Sequence, residues 1–451
     1  MKNKIILNLL FAIGCISAQA DIVIPGANGT DGALNITADT VIDLSQAPTG
    51  TWDQDNSAKA GKGVYDPEKW AVVFKYTGIN IASGAKVTFK NNASRAPVVW
   101  LVSGDVTIAG TVDLSGESAY NTDSSPIDGW AYNPGALPLG GRLTEPGPGG
   151  FRGGAGWRGG MVLSAAGFGP GGGNTGDATG SFHKGDSAGF GSSSTRWSAG
   201  SGGQSYGNPS LIPLIGGSGG AGNTDDGWGR SGGAGGGAIL VACKGDFVLS
   251  SGQILASGGS ADWNRNGAGS GGGIRLVCKS FSGSGTLSAV GGTNAVSAAG
   301  NGRIRLERVT NSGSVNVSPA PSTLDLVDGS TTLLWAPEGA PEARVLAVNT
   351  VNAPSDPTAS FGTYSPDVSL PLVSQVDVVV ETKHVEQASR VVVRLTPRNG
   401  MYLNGGEFRA AKEQDARLDQ VVSTNPLVIR WKVTIATLPG YSAVQARVIR
   451  P

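Results

Sequence analysis

Histidine and cysteine are scarce in this 451-residue sequence, with two of the first and three of the second. Transition-metal sites and nucleophilic catalysis draw heavily on these two residue types, so little is left for either. His183 and His384 also fall in different predicted domains and form no acid–base pair. Charge is thin as well: 15% of residues are charged, and 34 basic side chains balance 34 acidic ones. Such a balance carries no electrostatic footprint for nucleic acid or an anionic membrane. Beyond the first 20 residues, no run approaches the roughly 18 apolar residues that a membrane-spanning helix requires. Asp225, Asp226 and Asp262 offer oxygen ligands for calcium, but the ordered nonapeptide calcium repeat is missing. The expectation is a protein without metal or cofactor.

What is present begins with an export signal. Lys2 and Lys4 precede a short apolar run from Ile5 to Ile13, and Ala18-Gln19-Ala20 forms a small-residue cleavage site before Asp21. A second reading places Cys15, after Ala12-Ile13-Gly14, as a lipidation site. Either way the expected location is outside the cytoplasm: extracellular or on the outer cell surface, with the periplasm as the alternative. Glycine accounts for 73 residues, about twice its usual share. The apolar residues are mainly short and β-branched, which favours sheet over helix.

Four segments can be overlaid: Val98 to Asp105, Ile239 to Asp246, Ile274 to Lys279, and Ile304 to Glu307. Each is a short apolar strand followed by alternating residues around a glycine. Alternation with period two buries one face of each strand. The last three copies lie about 30 to 35 residues apart, the length of one coil of a parallel β-helix with a side loop. Ile36 to Leu44 and Val72 to Phe89 carry similar alternation and read as opening coils or a cap. The segment from 118 to 236 concentrates glycine, as in Gly216-Gly217-Ser218-Gly219-Gly220. It reads either as flexible loops or as extended polyproline-II-like rows that only glycine can pack side by side. Order is preferred, because Trp130, Tyr132, Trp157, Phe182, Trp197, Tyr206 and Trp228 are spread through the tracts and need something to pack against.

Glycine thins out after 336–342, which reads as a linker. Strands are expected over Arg344 to Val351, Val376 to Thr382, Ser389 to Thr396, Val428 to Ala436 and Ser442 to Ile449, an immunoglobulin- or fibronectin-like sandwich. The fold class is therefore all-β: signal peptide 1–20, β-solenoid 21–117, glycine-rich insertion 118–236, β-solenoid 237–335, linker 336–342 and β-sandwich 343–451. Pro97-Val98-Val99-Trp100-Leu101, Ser205-Tyr206-Gly207-Asn208 with Pro213 to Gly220, and the glycine run into Ala238-Ile239-Leu240 together make the mature chain resemble a poorly characterised group of secreted glycine-rich β-solenoid proteins of environmental Gram-negative bacteria. That resemblance implies export and a surface location and no established activity.

Two functions stand open. The first is a surface scaffold or adhesin that contacts extracellular polysaccharide or cell-surface components. Aromatic rings stack on sugar rings through their apolar faces, which makes Trp130, Trp157, Trp197, Trp228 and Trp263 the candidate binding residues. The second is a polysaccharide-degrading β-helix with an accessory sandwich, for which Asp105 and Asp246, at matching repeat positions, stand where a carboxylate pair could form. These two read more simply as turn aspartates bonded to their own backbone. Cys243 and Cys278 also share a repeat position, where strands stacked about 4.8 Å apart would allow a disulfide or a stack of buried thiols.

Overall fold

The computed structural model describes residues 21–119, 143–158, 165–175, 184–195, 202–225, 229–261, 265–295, 297–359, 365–398, 401–402, 408–409, 411–437 and 440–451. The export signal and Cys15 lie outside them. The fold is all-β. Among the described residues there is no α-helix, and so none long and apolar enough to cross a membrane; two single-turn 3₁₀ segments, Leu44–Gln46 and Ser57–Lys59, are the helical exceptions.

The repeated segments pair side by side as parallel strands in the register of their alignment. Val98 faces Ile239, Ile239 faces Ile274, and Ile274 faces Ile304. Ala71–Tyr76 joins the same sheet with Val72 opposite Val98. A second parallel sheet runs through Thr40–Asp43, Lys86–Lys90, Thr111–Asp113, Gln253–Leu255, Thr286–Ser288 and Asn316–Ser318. Residues 71 to 90 thus form a complete further copy of the repeat, with Leu34–Ile36 and Thr40–Asp43 a shorter one ahead of it.

Parallel pairing in register stacks like residues into columns. Val72, Val98, Ile239, Ile274 and Ile304 make one, and Phe74, Trp100, Val241, Leu276 and Leu306 the next. All ten are buried in one apolar cluster. A single copy leaves its apolar face open, so each depends on its neighbours for burial. The opposite face of the first sheet, with Val73, Val99, Leu101, Leu240 and Val277, is covered by Ile22, Ile24, Trp52, Leu334 and Trp335.

The C-terminal strands pair antiparallel in one seven-stranded sheet. Lys412–Thr424 pairs with Arg390–Pro397 through its first residues and with Leu427–Ala436 through the rest. The sheet therefore curls over a core that includes Val378, Val380, Val391, Val393, Ile429 and Trp431. Five of its strands follow the expected ranges closely. Lys412–Thr424 was not expected, because nearly all of its residues are solvent-facing and show no apolar alternation.

Candidate functional site

Glycine rows occupy the space beside the stacked strands. In the row 232–237, successive N–H groups point to different neighbours and return every third residue. Gly232 and Gly235 donate to Gly154 and Phe151, Gly233 and Gly236 to Gly267 and Ser270, and Ala234 and Gly237 to Glu117 and Leu114. The row 216–222 behaves alike, with Gly217 and Gly220 donating to Gly236 and Gly233, and Gly219 and Gly222 to Phe168 and Ala165. A β-strand sends its bonds to two sides only, whereas this array is bonded around each row.

Glycine is required by the closeness of the rows. A Cβ at Gly219 would stand 1.9 Å from the Arg152 carbonyl oxygen, one at Gly235 1.9 Å from that of Gly217, and one at Gly272 1.8 Å from that of Gly237. The interruptions are small: Ser218, Ala221, Ala234, Ala268 and Ser270 are all buried. Gly-Gly-small spacing is the sequence signal for this packing, and it also runs through residues outside 118–236. Rows 256–261, 267–272, 289–293 and 297–302 belong to the same bonded array. Tyr206 packs on Phe190 with ring centroids 4.7 Å apart. Its hydroxyl donates to the Gly216 carbonyl at 2.7 Å and accepts from Ser218 Oγ at 2.9 Å, while burial pushes the phenol above its usual range.

The side chains of Trp130, Trp157, Trp197, Trp228 and Trp263 lie outside the described residues; only the backbone of Trp157 falls within them. The residues that flank them are described, and they converge. Ala119 N–H bonds Ser260, Ala261 bonds Thr293, Gly185 bonds Arg265, Asn223 bonds Arg230, and Thr195 bonds Ala298. Trp157 and Arg158 pair with Thr224 and Asp225. Asn266 Nδ2 donates to the Ser231 carbonyl, the Asn294 amide to that of Asn266, and the Ser187 and Ser297 hydroxyls meet at 2.8 Å. The array thus brings the flanks of all five positions to one edge. The other five tryptophans serve packing: Trp100 and Trp431 are buried, Trp52 lies 5.4 Å from Trp335, and Trp70 donates to the Ser94 carbonyl.

The remaining candidates have structural surroundings. Asp105 Oδ1 accepts the N–H of Asp246, in the next copy, at 2.8 Å, rather than bonding its own backbone. Among the described residues no group of three or more His, Cys, Asp and Glu gathers; His183, Asp226 and Asp262 lie outside them. Cys243 and Cys278 are free and buried, one position beyond the Ala242–Val277 pair. Burial pushes the Cys243 thiol well up, and the adjoining Cys278 adds to the effect. A thiol reagent should therefore leave both untouched in the folded mature chain and label both once it is unfolded. Labelling of the native chain, followed by mass, checks this. One cleft, of about 270 Å³, opens between the array and the C-terminal sheet, lined in part by Asn174, Gln204, Arg394 and Glu413.

No family model, no curated protein and no solved structure matches the chain.

Proposed function

We propose that this protein is an exported surface scaffold with an adhesive edge, in which the stacked strands form a β-solenoid and the glycine rows a polyglycine-II bundle. The convergence of the flanks of Trp130, Trp157, Trp197, Trp228 and Trp263 at one edge of the array carries the reading. The return of hydrogen-bond partners every third residue supports the bundle, because a polyproline-II helix has three residues per turn. In-register parallel pairing from residue 34 to residue 325 supports the solenoid. A rigid array spares the bound state much of the ordering cost that flexible loops would bring. The partner is an extracellular polysaccharide, met by aromatic faces.

The test is retention of the mature chain, residues 21 to 451, on a panel of soluble and insoluble polysaccharides. Retention without released sugar is expected. Alanine at the dominant tryptophan should weaken it about 30-fold, the loss of roughly 2 kcal/mol typical of an aromatic hot spot. Released oligosaccharide, or retention indifferent to all five substitutions, would overturn the reading.

A further inference from the structure

The row 165–173 lies beside the C-terminal sheet. Three of its carbonyls accept from other rows: Ala165 from Gly222, Phe168 from Gly219, and Gly171 from Gly189. No backbone N–H of a described residue reaches the oxygens of Gly167 and Gly172. Both accept instead from one guanidinium nitrogen, Arg394 Nη2, at 3.3 and 3.2 Å. Arg394 reaches them from the C-terminal sheet, 7% exposed, with Nη1 on Glu413 at 2.9 Å and Nε on Thr396. Glu413 is held in turn by Arg447 at 2.8 Å. Ala443 of the same sheet packs on a small apolar cluster that includes Leu143, Ala155, Ala165 and Phe168.

Arg394 thus stands where the N–H groups of a further row would stand. An unfinished row with free carbonyls templates further pairing, as an open sheet edge does. Here the template is selective. A Cβ at Gly172 would lie 2.1 Å from the Gly167 oxygen, and one at Gly167 1.8 Å from that of Gly219. Rows meet so closely that an added row must itself be rich in glycine, and this chain carries such rows. We propose that the C-terminal sheet is a stop for the glycine array, with Arg394 as its terminating residue, and that the partner it excludes is the glycine array of a second copy of this chain. The cleft beside Arg394 leaves this contact incompletely packed, so its hold rests on few side chains.

The experiment measures mass by light scattering over rising concentration for the full mature chain and three variants. The unaltered chain should hold one mass throughout, and so should Arg447→Ala, which removes a partner of Glu413 with no bond to the array. Arg394→Ala, which removes the stop, and Ala443→Glu, which forces the sheet from the apolar cluster, should each at least double in mass as concentration rises. Ala443→Glu leaves the Arg394–Glu413 pair chemically intact and decides the matter if Arg394→Ala does not fold. Folded variants that keep the mass of the unaltered chain would overturn the proposal, as would an unaltered chain that associates to the same extent.

Discussion

Alanine at Gly219 is expected to destabilise the protein by about 3 kcal/mol or more, the upper range of overpacking costs in a close-packed interior. The added carbon would meet the Arg152 carbonyl oxygen at 1.9 Å, the Arg152 carbonyl carbon at 2.4 Å and the Gly153 nitrogen at 2.6 Å. All three are backbone atoms of a row held on several sides, so no side chain can swing aside. Gly84 is the control. Its φ of +82° is left-handed and nothing lies within 4 Å of a Cβ there, so Gly84→Ala should cost only about 1–2 kcal/mol of local strain. Denaturant unfolding of both variants checks the contrast. Equal losses would mean that the rows are looser than the array requires.

Glu307→Ala should be comparably damaging, about 3–5 kcal/mol, because it strands a buried cation. Arg275 is 1% exposed and Glu307 4%. Nε of Arg275 donates to Glu307 Oε1 at 3.0 Å, Nη1 to the Leu334 carbonyl at 3.2 Å and Nη2 to that of Leu333 at 2.5 Å. The pair therefore ties two neighbouring copies to the strap that covers Val277 and Leu240. Arg305 shares Glu307 at 3.2 Å but is more open, and Arg305→Ala should lose only about 1–2 kcal/mol. An unchanged unfolding midpoint for Glu307→Ala would contradict this account of the strap.

The stacked strands were legible because their information is local and repeated. Val98, Ile239, Ile274 and Ile304 can be aligned by eye, and parallel pairing keeps that alignment as register. The need of Tyr206 for a packing partner was legible too, and Phe190 meets it. Other features depend on contacts between distant segments. Arg275 and Glu307 are 32 residues apart on adjacent strands, and neither looks buried in sequence. Asp105 serves the copy that begins more than a hundred residues later. Lys412–Thr424 is a strand through pairing alone, without an apolar face to announce it. The shared edge that gathers the flanks of the five candidate tryptophans was hidden for the same reason, since each position lies between a different pair of rows.

Hydrogen–deuterium exchange of the glycine amides in 216–222 and 232–237 tests the ordered array most directly. An isolated polyproline-II row has a fully solvated backbone and exchanges freely, whereas these N–H groups are bonded to neighbouring rows. The account predicts protection comparable to that of Val98–Val102 and Ala238–Cys243 in the stacked sheet. Exchange at the rate of an unstructured glycine-rich peptide would contradict it, and with it the edge on which the adhesive reading rests.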